Sequence, residues 1–172
     1  LVCRRAPVLL RGSLTMVIVR IVTGIGHHFH TRAGEWFCTA VILNWAIVLL
    51  SPGETFATSP AFAGLAAIWS EFWWGMVCLI LGTARLIALI LNGTFAHTRY
   101  GHFSPHVRAA MAFASCFVWF QIVYGMLGAW TTLPLTTGPG TYLLILMLDA
   151  VNFRRAMDDT GEAVAAKRYG YT

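Results

Sequence analysis

A charged side chain inside an apolar stretch is expensive, and it is kept only where it has a partner or a task. Three such residues interrupt the apolar stretches of this chain: Glu71, Arg85 and Asp149. Glu71 follows Trp69 by two residues, close enough to a segment end to reach lipid headgroups. Arg85 precedes Asn92 by seven residues, which puts it about 10 Å inside its segment at the helical rise. Asp149 precedes Arg154 by five residues, about 7–8 Å in from the same side. Matched depth on two different helices predicts an Arg85–Asp149 ion pair, with Asn152 one turn further along the Asp149 face. The expected role is a lock between helices, because a proton relay needs more than one carboxylate along its path. Asn44 and Gln121 lie near the middles of two further apolar segments and are expected to hydrogen-bond across the bundle, at about 0.6–2 kcal/mol.

The histidines are the other chemical candidates. His27, His28 and His30 form one group and His97, His102 and His106 another, and the topology below puts both groups on the cytoplasmic side. Converging imidazoles bind zinc, iron or haem. The His-x-x-x-His pair at 102 and 106, with the HHFH run at 27–30, resembles the histidine-rich sites of membrane di-iron enzymes. Pro105 breaks the helix that would align His102 with His106, however, and the loop around them has no Asp or Glu. A solvated, headgroup-facing cluster is therefore the favoured reading, with a haem or metal site as the alternative. Cys3, Cys38, Cys78 and Cys116 show no C-x-x-C spacing and read as small apolar residues. No Gly-rich phosphate loop, nucleophile elbow or nucleic-acid motif is present, and no catalytic residue is predicted.

What must position these residues follows from composition. Of the 172 residues, 58% are hydrophobic and 11% charged, whereas a soluble domain carries about a quarter charged residues. Disorder is excluded, since it needs low hydrophobicity and high charge. The chain reads as an all-α membrane protein: a bundle of four transmembrane helices near residues 36–50, 69–91, 107–130 and 141–153. Lys and Arg near span ends stay cytoplasmic. Arg4, Arg5, Arg11, Arg20 and Arg32 precede the first span, and the loop 51–68 has no basic residue. Arg99 and Arg108 flank the start of the third span, the loop 131–140 has no charge, and Arg154, Arg155, Lys167 and Arg168 follow the fourth. This alternation predicts both termini in the cytoplasm. The net charge of +5 is then a topology signal and an attraction to anionic lipids, not a nucleic-acid footprint.

Aromatic placement agrees with this topology. Trp69, Trp73, Trp74, Trp130 and Tyr142 fall at predicted outer ends, and Trp36 and Tyr100 at inner ones. Trp45 and Trp119 fall mid-span and are expected to pack between helices. Ser104-Pro105 should open the third helix and Asn92-Gly93 close the second. The apolar loop 55–68 is expected to lie in the interface or to dip in as a re-entrant segment. Organisation is read as a basic N-terminal segment (1–33), the four-helix domain (34–155) and a cytoplasmic tail (156–172). Residues 1–15 are expected to lie upstream of a natural start at Met16. Small residues four apart (Cys78 and Gly82, Ala84 and Ala88, Ala110 and Ala114, Gly125 and Ala129) allow close helix approach.

Three motifs carry a resemblance: W-G-x-x-x-x-x-L-G-x-x-R-L-x-A-L-x-x-N-G at 74–93, S-P-x-x-R-A at 104–109 and L-D-x-x-N-x-x-R-A at 148–156. Over roughly residues 36–160 the chain resembles small integral membrane proteins of tailed bacteriophages and prophages, a group with no assigned activity. The resemblance implies a bacterial inner-membrane setting and a phage-related role, and it carries over no site residue. The leading expectation is a non-enzymatic multi-pass protein that modifies the envelope or scaffolds assembly, with a second copy or another membrane protein as partner. The alternatives are a small membrane oxidoreductase or haem/metal subunit using the histidines, and a holin-like lysis protein.

Overall fold

The computed structural model of the chain describes residues 31–94, 104–128 and 137–169. All regular structure among them is helical. Four long helices carry the fold: α1 (Ala33–Leu50), α4 (Glu71–Thr94), α5 (Ser104–Gly128) and α6 (Gly138–Tyr169). Between α1 and α4 lie two single-turn helices, α2 (Thr55–Thr58) and α3 (Ala63–Ala66), joined by a 3-10 turn at Pro60–Phe62.

The breaker residues place the ends approximately. Pro105 sits in the first turn of α5, where its missing N–H costs nothing. α4 runs through Asn92-Gly93 to Thr94, so that pair does not stop it at once. α6 is one helix of 32 residues, about 48 Å long, so the expected division between a fourth span and a separate tail is not a break in structure. By length and composition, the three described helices able to cross a membrane are Ala33–Leu50, Glu71–Leu91 and Pro105–Gly128. α6 is not among them, because Asp149 and the charged run from Arg154 interrupt its apolar part.

The helices form two antiparallel hairpins. In the first, Gly75 and Gly82 bring α4 against α1: a Cβ at Gly82 would stand 2.7 Å from Leu43 Cδ2, and one at Gly75 2.8 Å from Leu50 Cδ2. In the second, α5 and α6 share the most extensive interface in the molecule. The hairpins meet along α4–α5 and, more loosely, along α1–α6, whereas α1 with α5 and α4 with α6 have at most marginal backbone contact. This arrangement puts α1 opposite α5, and α4 opposite α6. Ile42, Leu49, Cys78, Leu81, Trp119 and Ile122 are among the core residues. Trp45 meets Trp119 edge to face, with centroids 6.3 Å apart, so these two indoles pack between helices.

Large apolar side chains cover much of the outside of the long helices. Phe113, Phe117 and Phe120 on α5 are 63%, 60% and 52% exposed, a continuous aromatic stripe that water would not tolerate. Trp69 and Trp73 are also exposed near the start of α4. Trp74 turns inward instead, where its Nε1 donates to the Leu65 carbonyl at 3.1 Å. Tyr142, another residue expected in the outer belt, is partly buried and stacks on Trp119.

The segment 55–68 folds over the α5 end of the bundle. Leu65 is fully buried there, and a Cβ on Gly64 would stand 2.8 Å from the Gly125 carbonyl oxygen and 2.9 Å from its Cα. Two glycines thus let backbone touch backbone. Glu71 anchors the other end of this cap: its carboxylate accepts from the Thr55 and Phe56 N–H groups at 3.1 and 3.0 Å.

Candidate functional site

Most of the buried charges of the described residues gather in two nodes, and each node spans one diagonal of the bundle. The first centres on Asp149 of α6, which is fully buried. Arg85 Nη1 of α4 donates to Asp149 Oδ2 at 2.7 Å, with 4% of the arginine side chain exposed. Ser115 of α5 donates its hydroxyl to the same oxygen. Asn152 Nδ2, one turn along α6, lies 3.5 Å from both Asp149 Oδ1 and Cys38 Sγ of α1. All four long helices therefore contribute a polar atom to one place. Gly34 makes room for this node, since a Cβ there would stand 2.8 Å from Asn152 Oδ1.

The second node joins α1 to α5. Glu35 and Arg108 form a bidentate pair, Nε to Oε2 at 2.8 Å and Nη2 to Oε1 at 2.5 Å, with both side chains buried. Arg108 Nη1 also donates to Asp159 Oδ2 of α6 at 2.8 Å, and Arg32 Nη2 approaches the same oxygen at 3.5 Å. Burial, and then the charge of Arg108, lower the Arg32 pKa from its ordinary value. An open cleft of about 580 Å³ lies over this node, with Arg155 and Asp158 also on its wall.

Fork-to-fork pairing satisfies both carboxylate oxygens of Glu35 at once, which a lysine could not do. From the sequence Arg108 reads as a topology charge, and Glu35 does not stand out. The signal was available: both lie within the first five residues of their helices, and both helices have these ends on the same side of the bundle. Depth matching of the kind applied to Arg85 and Asp149 would have paired them.

The remaining sequence candidates are scattered. Asn44, expected to reach across the bundle, is exposed instead, on the face of α1 opposite Ile42 and Ala46. α1 is apolar all round, so its sequence gave no cue to which face would turn inward. Gln121 is half-buried and has no hydrogen bond among the described residues. His106 is exposed in the first turn of α5. His27, His28, His30, His97 and His102 lie outside the described residues, as do Trp130, Tyr100 and Cys3. Among the described residues no group of three or more His, Cys, Asp or Glu is placed to hold a metal ion. The buried Trp119 Nε1 has no hydrogen-bond partner among the described residues.

Comparison with known proteins finds no matching family model, no matching curated protein and no matching solved structure.

Proposed function

We propose that the chain is a multi-pass protein of a bacterial inner membrane, phage-encoded, with a non-enzymatic role in scaffolding or modifying the envelope. In this reading α6 is the fourth span, both termini are cytoplasmic, and the Glu35–Arg108 node lies at the cytoplasmic face near anionic lipids. The observation that carries it is charge matching. Arg85 is bound by Asp149 and Arg108 by Glu35, each pair joining helices that otherwise barely meet, and Asp159 adds a second carboxylate to Arg108. Groups consumed in this way hold helices together and are not available to relay protons. Asp149, deep in the bundle, already accepts from Arg85, Ser115 and Asn152.

Induced expression in a bacterial host, followed by membrane potential and respiration, tests the role. A scaffold leaves both intact while the protein accumulates in the inner membrane. Abrupt loss of respiration would replace this reading with a lysis role. A coloured or metal-containing preparation that loses its metal on His102→Ala with His106→Ala would replace it with the oxidoreductase.

A further inference from the structure

We infer that α1 is the contact surface for a second copy of this chain, with Asn44 meeting its counterpart across a two-fold axis along the membrane normal. The inference rests on α1 crossing the bilayer. Each long helix turns a stripe outward, and on α1 the stripe is Ala33, Phe37, Ala40, Asn44 and Ile47, all exposed at alternating spacings of four and three residues. The other two spanning helices show lipid large apolar groups in the same positions: Phe113, Phe117 and Phe120 on α5, Trp73, Ile80 and Ile87 on α4. Thr83 of α4 is exposed as well, but a threonine can return its hydroxyl to a carbonyl one turn back, as Thr39 does with Glu35. An asparagine amide on a lipid face has no comparable outlet.

Asn44 lies six residues from the end of α1, about 9 Å inside the helix, so with α1 across the bilayer its amide faces the hydrocarbon core. Its amide has no hydrogen bond among the described residues. It combines two donors with an acceptor, so it is complementary to itself under two-fold symmetry, and two copies in one membrane share the same orientation. Asparagine in the seam of paired parallel helices fixes register and partner number in this way. Ala33 and Ala40 on the same stripe let the two backbones approach closely enough for the amides to meet. Beside Asn44 a recess of about 130 Å³, lined by Val48, Phe62 and Tyr142 among others, offers room for a side chain from the approaching copy.

The test is Förster transfer between donor- and acceptor-labelled full-length copies in phosphatidylethanolamine/phosphatidylglycerol vesicles, titrated by diluting the protein with lipid. Transfer should saturate as expected for a dimer. Asn44→Leu should weaken the dimer about 3- to 30-fold, the equivalent of one or two interhelical hydrogen bonds in a membrane. Asn44→Gln should stay close to the parent, Ala40→Phe should abolish pairing, and Phe117→Ala on α5 should leave it unchanged. Asn44 makes no hydrogen bond among the described residues of its own chain, so at lipid dilutions where both proteins are monomeric Asn44→Leu should unfold at the parent temperature. Transfer no greater than random proximity in the parent, or an unchanged isotherm for Asn44→Leu, overturns the inference. Carbonate extraction separates the two ideas. Resistant protein with an unchanged isotherm rejects the dimer and leaves the membrane reading standing, whereas extracted protein rejects both.

Discussion

Asp149 is the residue on which most of the bundle's polar chemistry converges. Removing one partner of a buried pair strands the other charge, at about 3–5 kcal/mol, and Arg85→Met or Asp149→Leu alone should cost that much. The double replacement Arg85→Met with Asp149→Leu should recover part of the loss, because no charge is left stranded although Ser115 and Asn152 lose their acceptor; reversible unfolding in micelles of the four proteins measures the cycle. Exchanging the charges, Arg85→Asp with Asp149→Arg, should recover less, since it keeps two charges buried and sets a longer, donor-only side chain at fully buried position 149, facing the Ser115 and Asn152 donors. The matched depth of Arg85 and Asp149 was legible because few charges interrupt long apolar stretches. The orientation of Asn44 was not, because an apolar helix in a membrane has no polar face to contrast with its core face.

For the elements, close backbone approach sets the tolerance to substitution. A methyl added at Gly64 meets the Gly125 backbone, which cannot move without displacing α5, so Gly64→Ala should destabilise by about 1–3 kcal/mol. The same change at Gly82 meets Leu43 and Ile42 side-chain atoms rather than backbone, and because the half-buried Leu43 can shift without moving a helix it should cost less in the same unfolding assay. The cap over α5 depends on Glu71. Glu71→Ala leaves the Thr55 and Phe56 N–H groups without their acceptor, and hydrogen exchange across residues 55–58 should speed up while α4 keeps its protection. Three of the four expected spans appear as helices long and apolar enough to cross a membrane. The cap's fold was not readable beforehand, because a run of alanine, glycine and phenylalanine is compatible with an interfacial or a re-entrant path, and only contact with Gly125 and Glu71 selects between them.

For the whole molecule, two diagonal ion pairs brace a bundle whose side-by-side contacts are uneven, tight within the hairpins and loosest between α1 and α6. The proposed topology predicts that reporter fusions after residue 169 are active in the cytoplasm, and that a cysteine placed at 53 is labelled only from the outside. Labelling at 53 from the cytoplasm would reverse the orientation. The diagonal pairing also has a consequence for synthesis. Arg85 and Asp149 are 64 residues apart, so at about 5–20 residues per second α4 leaves the ribosome some 3–13 s before its counter-charge exists. In the proposed membrane setting Arg85 then reaches for the nearer membrane face during that interval, holding α4 off its final depth. The arrival of α6 releases it, so a helix made later sets the position of one inserted well before it.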